Sequence, residues 1–162
     1  MLVDFESLAA SSRIWIYQSN RGFLDNEVYE ICTKIESFIN NWKRHGDDLK
    51  GSYQIKYNQF IVLAVDEDYN GVSGCSIDSS VNLMKQLESE LGLDLTNKLN
   101  ISFKDNNNIN IVSLSEFQNY AKQHKITSNT VVFNNMVLTK ADLIENWEVT
   151  ADKSWHKRFL VQ

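Results

Sequence analysis

FIVLAV, residues 60–65, is an unbroken apolar run. Its length suits a strand, and a strand with no polar face is buried on both sides. Just before it, SYQIKY (52–57) alternates, with Tyr53, Ile55 and Tyr57 on one face and Ser52, Gln54 and Lys56 on the other. That alternation marks a half-exposed edge strand. Asn58 and Gln59 supply the turn between the two runs. Upstream, RIWIYQS (13–19) carries Ile14 and Ile16 on one face and Trp15 and Tyr17 on the other, so it reads as a second central strand.

Between the first and second strands, apolar residues recur at Val28, Ile31, Cys32, Ile35, Phe38, Ile39 and Trp42. This spacing predicts a helix over 25–45 with one face on a core. Asp25 stands as N-cap, and Lys43, Arg44 and His45 complement the dipole of the last turn, with Gly46 as the left-handed residue beyond it. A second helix is expected from Ser76 or Asp78 to about Leu91, ended by Gly92, with Glu88 the one polar residue on its apolar face. ISF (101–103) and NINIV (108–112), joined by an asparagine turn, read as a hairpin.

The resulting order, strand–helix–strand–strand–helix–strand, is that of the split βαβ plan. The expected fold is therefore α+β: a ferredoxin-like core over 11–112, with an antiparallel sheet of order 4-1-3-2 and two helices on one face. The two runs apolar on both faces fall on the central strands of that order, and the alternating run falls on an edge. Residues 113–162 are expected to form a mostly helical C-terminal extension with one short strand, TVVF, packing on the core within a single domain, 1–162. The extension would cover the second sheet face, on which Trp15 and Tyr17 would otherwise be exposed; a homodimer would cover it equally well.

The chain has 162 residues, 43% hydrophobic and 23% charged, enough to bury a core and unlike a disordered chain. The net charge of -5 argues against a general nucleic-acid binder, which needs a basic surface. No apolar run reaches membrane-spanning length, and Asp4 and Glu6 stand where a signal peptide carries positive charge. Cys32 and Cys75 form neither a disulfide framework nor a zinc pattern, which points to free thiols and a cytoplasmic location. No metal site is expected: the spacings HxxxH and CxxC do not occur, and the acidic loop after Val65 reads as solvated.

In the expected topology Arg13, His45, Asp47, Asp48, Asp66, Cys75, Ser76, Asp78 and Asp105 gather at one end of the sheet. The peculiar segment there is SGCSIDSS (73–80), which opens a helix. A helix start stabilises anions and lowers a thiol's pKa. Cys75 is thus a candidate nucleophile with His45 or His156 as base, and Arg13, Asp66, Ser76, Asp78 and Ser79 are candidate ligand-binding residues. The bland alternative makes Cys75 a small buried residue, with Ser76 and Asp78 as caps. KSWHKRF (153–159) interleaves Lys153, Lys157 and Arg158 with Trp155 and Phe159, which suits a phosphate or a stacked base. Its bland alternative is a tail pinned to the core by its aromatics.

RIWIYQSNR, NWKRHG, FIVLAVDE, SGCSIDSSV, VVFNN and WHKRF together resemble a small family of uncharacterised bacterial proteins often labelled "ABC transporter ATPase". The resemblance covers nearly the whole chain and implies no known activity. The label fits poorly, because neither GxxxxGK[ST] nor LSGGQ occurs. The leading expectation is a ligand-binding or interaction protein without ATPase activity, its partner a small molecule or a protein. The alternatives are a cysteine-dependent hydrolase or transferase using Cys75, and nucleotide or RNA binding through the C-terminal basic segment. The cofactor is unknown.

Overall fold

The computed structural model describes residues 1–66 and 74–161, with only the backbone of Gly74 and Cys75. In chain order the elements are β1 (Arg13–Gln18), α1 (Asp25–Asn40), β2 (Lys43–Arg44), β3 (Asp47–Asp48), β4 (Gly51–Lys56), β5 (Phe60–Val65) and α2 (Gly74–Leu91). There follow β6 (Asn100–Asp105), β7 (Asn108–Ser113), α3 (Leu114–Lys122), β8 (Val131–Phe133), α4 (Lys140–Asn146) and β9 (Glu148–Thr150). The class is mixed α and β with antiparallel sheets, as expected.

The chain divides into two compact units, Met1–Thr96 with Leu138–Ala141, and Asn97–Val137 with Asp142–Gln162. The boundary expected near residue 112 thus falls inside the second unit. No helix among the described residues is long and apolar enough to cross a membrane.

In the first unit the sheet order is β1-β5-β4. The expected ferredoxin-like order needs a fourth strand beside β1, which this three-stranded sheet does not contain. The fourth, β6, pairs instead with β7 and β8 in another sheet. Its place beside β1 is taken at one point by Leu138 and Thr139: Ile14 N donates to Leu138 O at 3.0 Å, and Arg13 bridges Thr139. β1 is consequently an edge and β5 the centre. Both faces of β5 are buried, consistent with its continuous apolar sequence.

The helices cover the face that carries Trp15, Tyr17, Ile61, Leu63 and Val65. Ile31, Ile35 and Ile39 of α1, with Met84 and Leu87 of α2, are wholly buried in that cluster. Each such side chain contributes roughly 1.5–3 kcal/mol relative to exposure. Trp15 and Tyr17 thus lie under the two helices, not on the face assigned to the C-terminal extension. Glu88 sits on the inner side of α2 because its carboxylate accepts hydrogen bonds from Leu95 N (2.8 Å) and Thr96 N (3.1 Å), fixing the chain after the helix.

α1 is shorter than expected. It ends at Asn40, and residues 43–48 form a small hairpin in which Arg44 pairs with Asp47. The two residues between them have positive φ, 49° at His45 and 87° at Gly46. Two left-handed residues make the type I′ turn whose twist suits a two-residue hairpin. Gly46 is left-handed as expected, but it closes a hairpin and not a helix.

The second unit holds the sheet β7-β6-β8-β9. The region after residue 112 is therefore not mostly helical: β8 and β9 complete a sheet begun by the β6–β7 hairpin. Ser113 caps α3 by accepting from Glu116 N at 3.2 Å. Phe117 of α3 packs with Ile101, Phe103 and Val132 of the sheet, with Tyr120 beside them. The C-terminal 3-10 turn Trp155–Phe159 joins the same cluster through Trp155 and Phe159.

Candidate functional site

A cavity of about 570 Å³ opens in the second unit, beside the tip of the β6–β7 hairpin. Its size is within the usual range for small-molecule sites, roughly 300–1,000 Å³. Three structural pieces build it. The hairpin tip contributes Asp105, Asn106 and Asn107. Asn106 and Asn107 have φ of 50° and 68°, and asparagine tolerates this left-handed pair better than most residues. Asn110 follows on β7.

The second piece is the end of α3. His124 turns left-handed (φ 57°), and Lys125 N then donates to Tyr120 O at 2.9 Å. This reversal lays the Lys125 ammonium over the Tyr120 ring, 5.6 Å from its centroid. The third piece is the loop before β8. There Thr127 N donates to Thr130 Oγ1 at 2.9 Å and Asn129 N to Thr127 Oγ1 at 3.3 Å, which holds Asn129 and Thr130 at the cavity wall. Phe103, Tyr120, Ile126 and Val131 form the apolar part of the lining. Phe103 and Tyr120 meet edge to face, with centroids 6.3 Å apart.

The cavity's charges nearly balance. Lys104 is paired with Glu148 at 3.1 Å, and Lys125 shares the cavity with Asp105. The remaining polar side chains are four asparagine amides and the hydroxyls of Tyr120 and Thr130. An asparagine amide both donates and accepts, so this lining suits a ligand with several neutral polar groups.

Apart from Asp105, the residues singled out in the sequence do not line this cavity. Arg13 begins β1 opposite Val65, its guanidinium 5.4 Å from the Trp15 ring centroid. Asp66 follows β5, its N–H donating to Lys50 O at 2.9 Å. Ser76, in the first turns of α2, is buried. Its hydroxyl donates to Lys43 O at 2.9 Å, while its carbonyl accepts from Trp42 Nε1 at 2.9 Å. These bonds tie α2 to the chain after α1, so Ser76 has a structural task at that position. Asp78 and Ser79 are exposed on α2, and His45 is exposed at the hairpin tip.

The structure thus brings Arg13, Asp66, the His45 hairpin and Ser76 to one end of the first sheet. Asp105, expected there as well, belongs to the second unit and lines the cavity. Cys75 lies in the first turn of α2, but its side chain is outside the described residues, as is the loop of residues 67–73.

His156 is fully buried in the second unit. Its Nδ1 shares a hydrogen bond with Ser154 Oγ at 2.7 Å, and its ring stacks on Trp155 at 3.8 Å. Burial, and then the Arg158 charge, push its pKa down to about 4. Arg158 lies over the Trp155 and Phe159 rings, at 5.4 and 5.3 Å. The aromatics of this segment therefore pack on the core, while Lys153 and Lys157 are exposed. Among the described residues no three His, Cys, Asp or Glu side chains stand together as a metal site.

No family model, curated protein or solved structure matches the chain. The functional reading therefore rests on the site's own chemistry.

Sequence reasoning missed the cavity. Asn106 and Asn107 were legible as turn residues, and turn chemistry accounts for them without any ligand. The one available signal was the combination of an asparagine-rich turn with an aromatic residue and a lysine five positions apart, Tyr120 and Lys125.

Proposed function

We propose that the protein binds a small polar solute of little net charge in the cavity of its second unit. The observation that carries this reading is the lining itself: neutral amides and two hydroxyls around an aromatic wall, with the two lysines offset by carboxylates. Typical ligand sites are mostly apolar with a few polar groups. A lining that includes four asparagine amides favours a ligand that hydrogen-bonds over much of its surface, such as a sugar-like polyol or a zwitterion. This deepens the expectation of a ligand-binding protein without ATPase activity, in keeping with a sequence that has no phosphate-cradling GxxxxGK[ST] string. For the scaffold of the first unit, the order β1-β5-β4 with two helices on one face supports a ferredoxin-like relationship in which Leu138 and Thr139 stand in for the fourth strand.

The test is a titration followed by two-dimensional amide NMR, using glucose, ribose and serine as probes and inorganic phosphate as the anionic control. At least one of the first three is expected to move the side-chain amide signals of Asn106, Asn110 and Asn129, and Asn110→Ala is expected to weaken that response at least tenfold. Shifts caused by phosphate alone, or no shifts at these amides with any probe, would refute the reading.

A further inference from the structure

β7 forms one edge of the second unit's sheet. It pairs with β6 along its whole length, Asn108 to Ser113, without a bulge. Among the described residues its other side has no backbone hydrogen-bond partner. Such an edge presents a row of N–H and C=O groups to any passing strand, and proteins usually blunt it with lysine, proline, a bulge or a covering segment. β7 reads NINIVS, with no charge and no proline. Asn108 is exposed and the other five residues are half-buried.

The sequence of the edge indicates which strand would fit it. When two identical strands pair antiparallel about a twofold axis normal to the sheet, residues on the same face must oppose one another, because side chains alternate with period two. The axis then passes through a residue. Centred on Asn110, the register sets Ile109 opposite Ile111 of the second copy, twice, and Asn110 opposite itself. Centred on Ile111, it sets Ile109 against Ser113 and Asn110 against Val112. Over residues 109–111 the first register matches apolar with apolar and amide with amide, with Asn108 opposite Val112 at either end, whereas the second matches only Ile111 with itself; cross-strand pairs of like character stabilise a sheet. The chain's net charge of -5 opposes self-association in general, but none of that charge lies on this strand.

We propose that β7 is a homodimer edge, pairing antiparallel with β7 of a second copy in the register centred on Asn110. The two four-stranded sheets would then form one continuous sheet, an isologous interface of the commonest symmetry. A strand from a different protein would satisfy the backbone, but it would not need this internal match of sequence.

Sedimentation velocity of the full chain over the micromolar range tests the proposal. The wild-type chain is expected to sediment as a dimer that dissociates on dilution. Asn110→Lys, which sets two ammonium groups face to face across the axis, is expected to be monomeric throughout while keeping the wild-type circular dichroism spectrum. In a Cys32→Ser, Cys75→Ser background, Asn110→Cys is expected to cross-link as a covalent dimer under copper–phenanthroline oxidation. Asn108→Cys, opposite Val112 in this register, is expected to cross-link at least tenfold more slowly. A wild-type monomer at every concentration, a dimer that survives Asn110→Lys, or equal cross-linking of the two cysteine variants would overturn the proposal.

Discussion

A single buried imidazole shows how environment decides what a residue can do. In the sequence His156 stands among Lys153, Lys157 and Arg158, a setting that suggests an accessible base. In the folded chain it is wholly buried, with its Nδ1 committed to Ser154 and its ring face to Trp155. Burial disfavours the imidazolium and Arg158 adds repulsion, so the pKa falls to about 4. The unfolded chain titrates near the ordinary value of about 6.5. Above that pH both states are neutral and the group has no effect. As the pH falls below it, the unfolded chain takes up a proton that the native state refuses until about pH 4. Stability therefore drops through this window, by about 3 kcal/mol in all, and this contribution levels off below it. Glu27 acts in the opposite sense but in a lower window. Held at about 2 by Arg21 and by the Leu24 N–H, its carboxylate stabilises the native state above about pH 4.5, a contribution lost only as the pH falls toward 2. Urea melts at pH 7 and pH 4.5 separate the two. Wild type is expected to lose most of that 3 kcal/mol between them, and His156→Phe, which can keep the stacking, is expected to lose much less. Equal losses would show that His156 is not the group responsible.

At the scale of elements, the end of α1 is where two readings of one string compete. Lys43, Arg44, His45 and Gly46 suit a helix C-terminus, with basic groups on the dipole and a glycine beyond. They also suit a hairpin turn. The hairpin wins because the two-residue loop between Arg44 and Asp47 needs two left-handed residues, and Trp42 is drawn down to donate its indole N–H to Ser76 O. The readings differ in what His45→Asn should do. In a helix the substitution removes a favourable charge. In a type I′ turn Asn-Gly is the preferred pair, so the variant is expected to be more stable than wild type by about 0.5 kcal/mol. A urea midpoint that falls would return the segment to a helical reading. The rest of the helix needed no such choice: Ile31, Ile35 and Ile39 repeat at four-residue spacing, and all three are buried where that spacing places them.

For the whole molecule, the sheet order of β1, β5 and β4 was legible and the neighbour of β1 was not, for a definable reason. A strand that is apolar on both faces reports layers above and below the sheet, not strands beside it in the plane. RIWIYQ meets that condition and is nonetheless an edge. The segment that comes to lie against it starts at Leu138, more than a hundred residues later, and carries no strand pattern of its own. The cavity was hidden in a similar way, because it is assembled from loop residues whose local tasks already account for them. What fastens the distant segment to the first unit is a buried lysine. Lys140 N donates to Ser12 O, and Ala141 N to Ala10 O. The Lys140 ammonium donates to three carbonyls of the N-terminal turn, Phe5 O at 3.0 Å, Glu6 O at 3.2 Å and Leu8 O at 2.9 Å, and lies 5.3 Å from the Phe5 ring centroid. All three of its N–H donors are satisfied, which is how a charge can be buried at tolerable cost. Lys140→Met keeps the length of the side chain and removes the donors, leaving carbonyls without partners. Hydrogen bonds from charged groups contribute roughly 1.5–3 kcal/mol each, and part of that is recovered by relaxation toward water. The variant is expected to unfold with about 2–4 kcal/mol less stability than wild type, whereas Lys153→Met, at an exposed position, is expected to change stability by less than about 0.5 kcal/mol. Equal urea midpoints for the two variants would mean that the returning segment is held by its backbone bonds and apolar contacts alone, and that the lysine is incidental to joining residues 138–141 to the N-terminal turn.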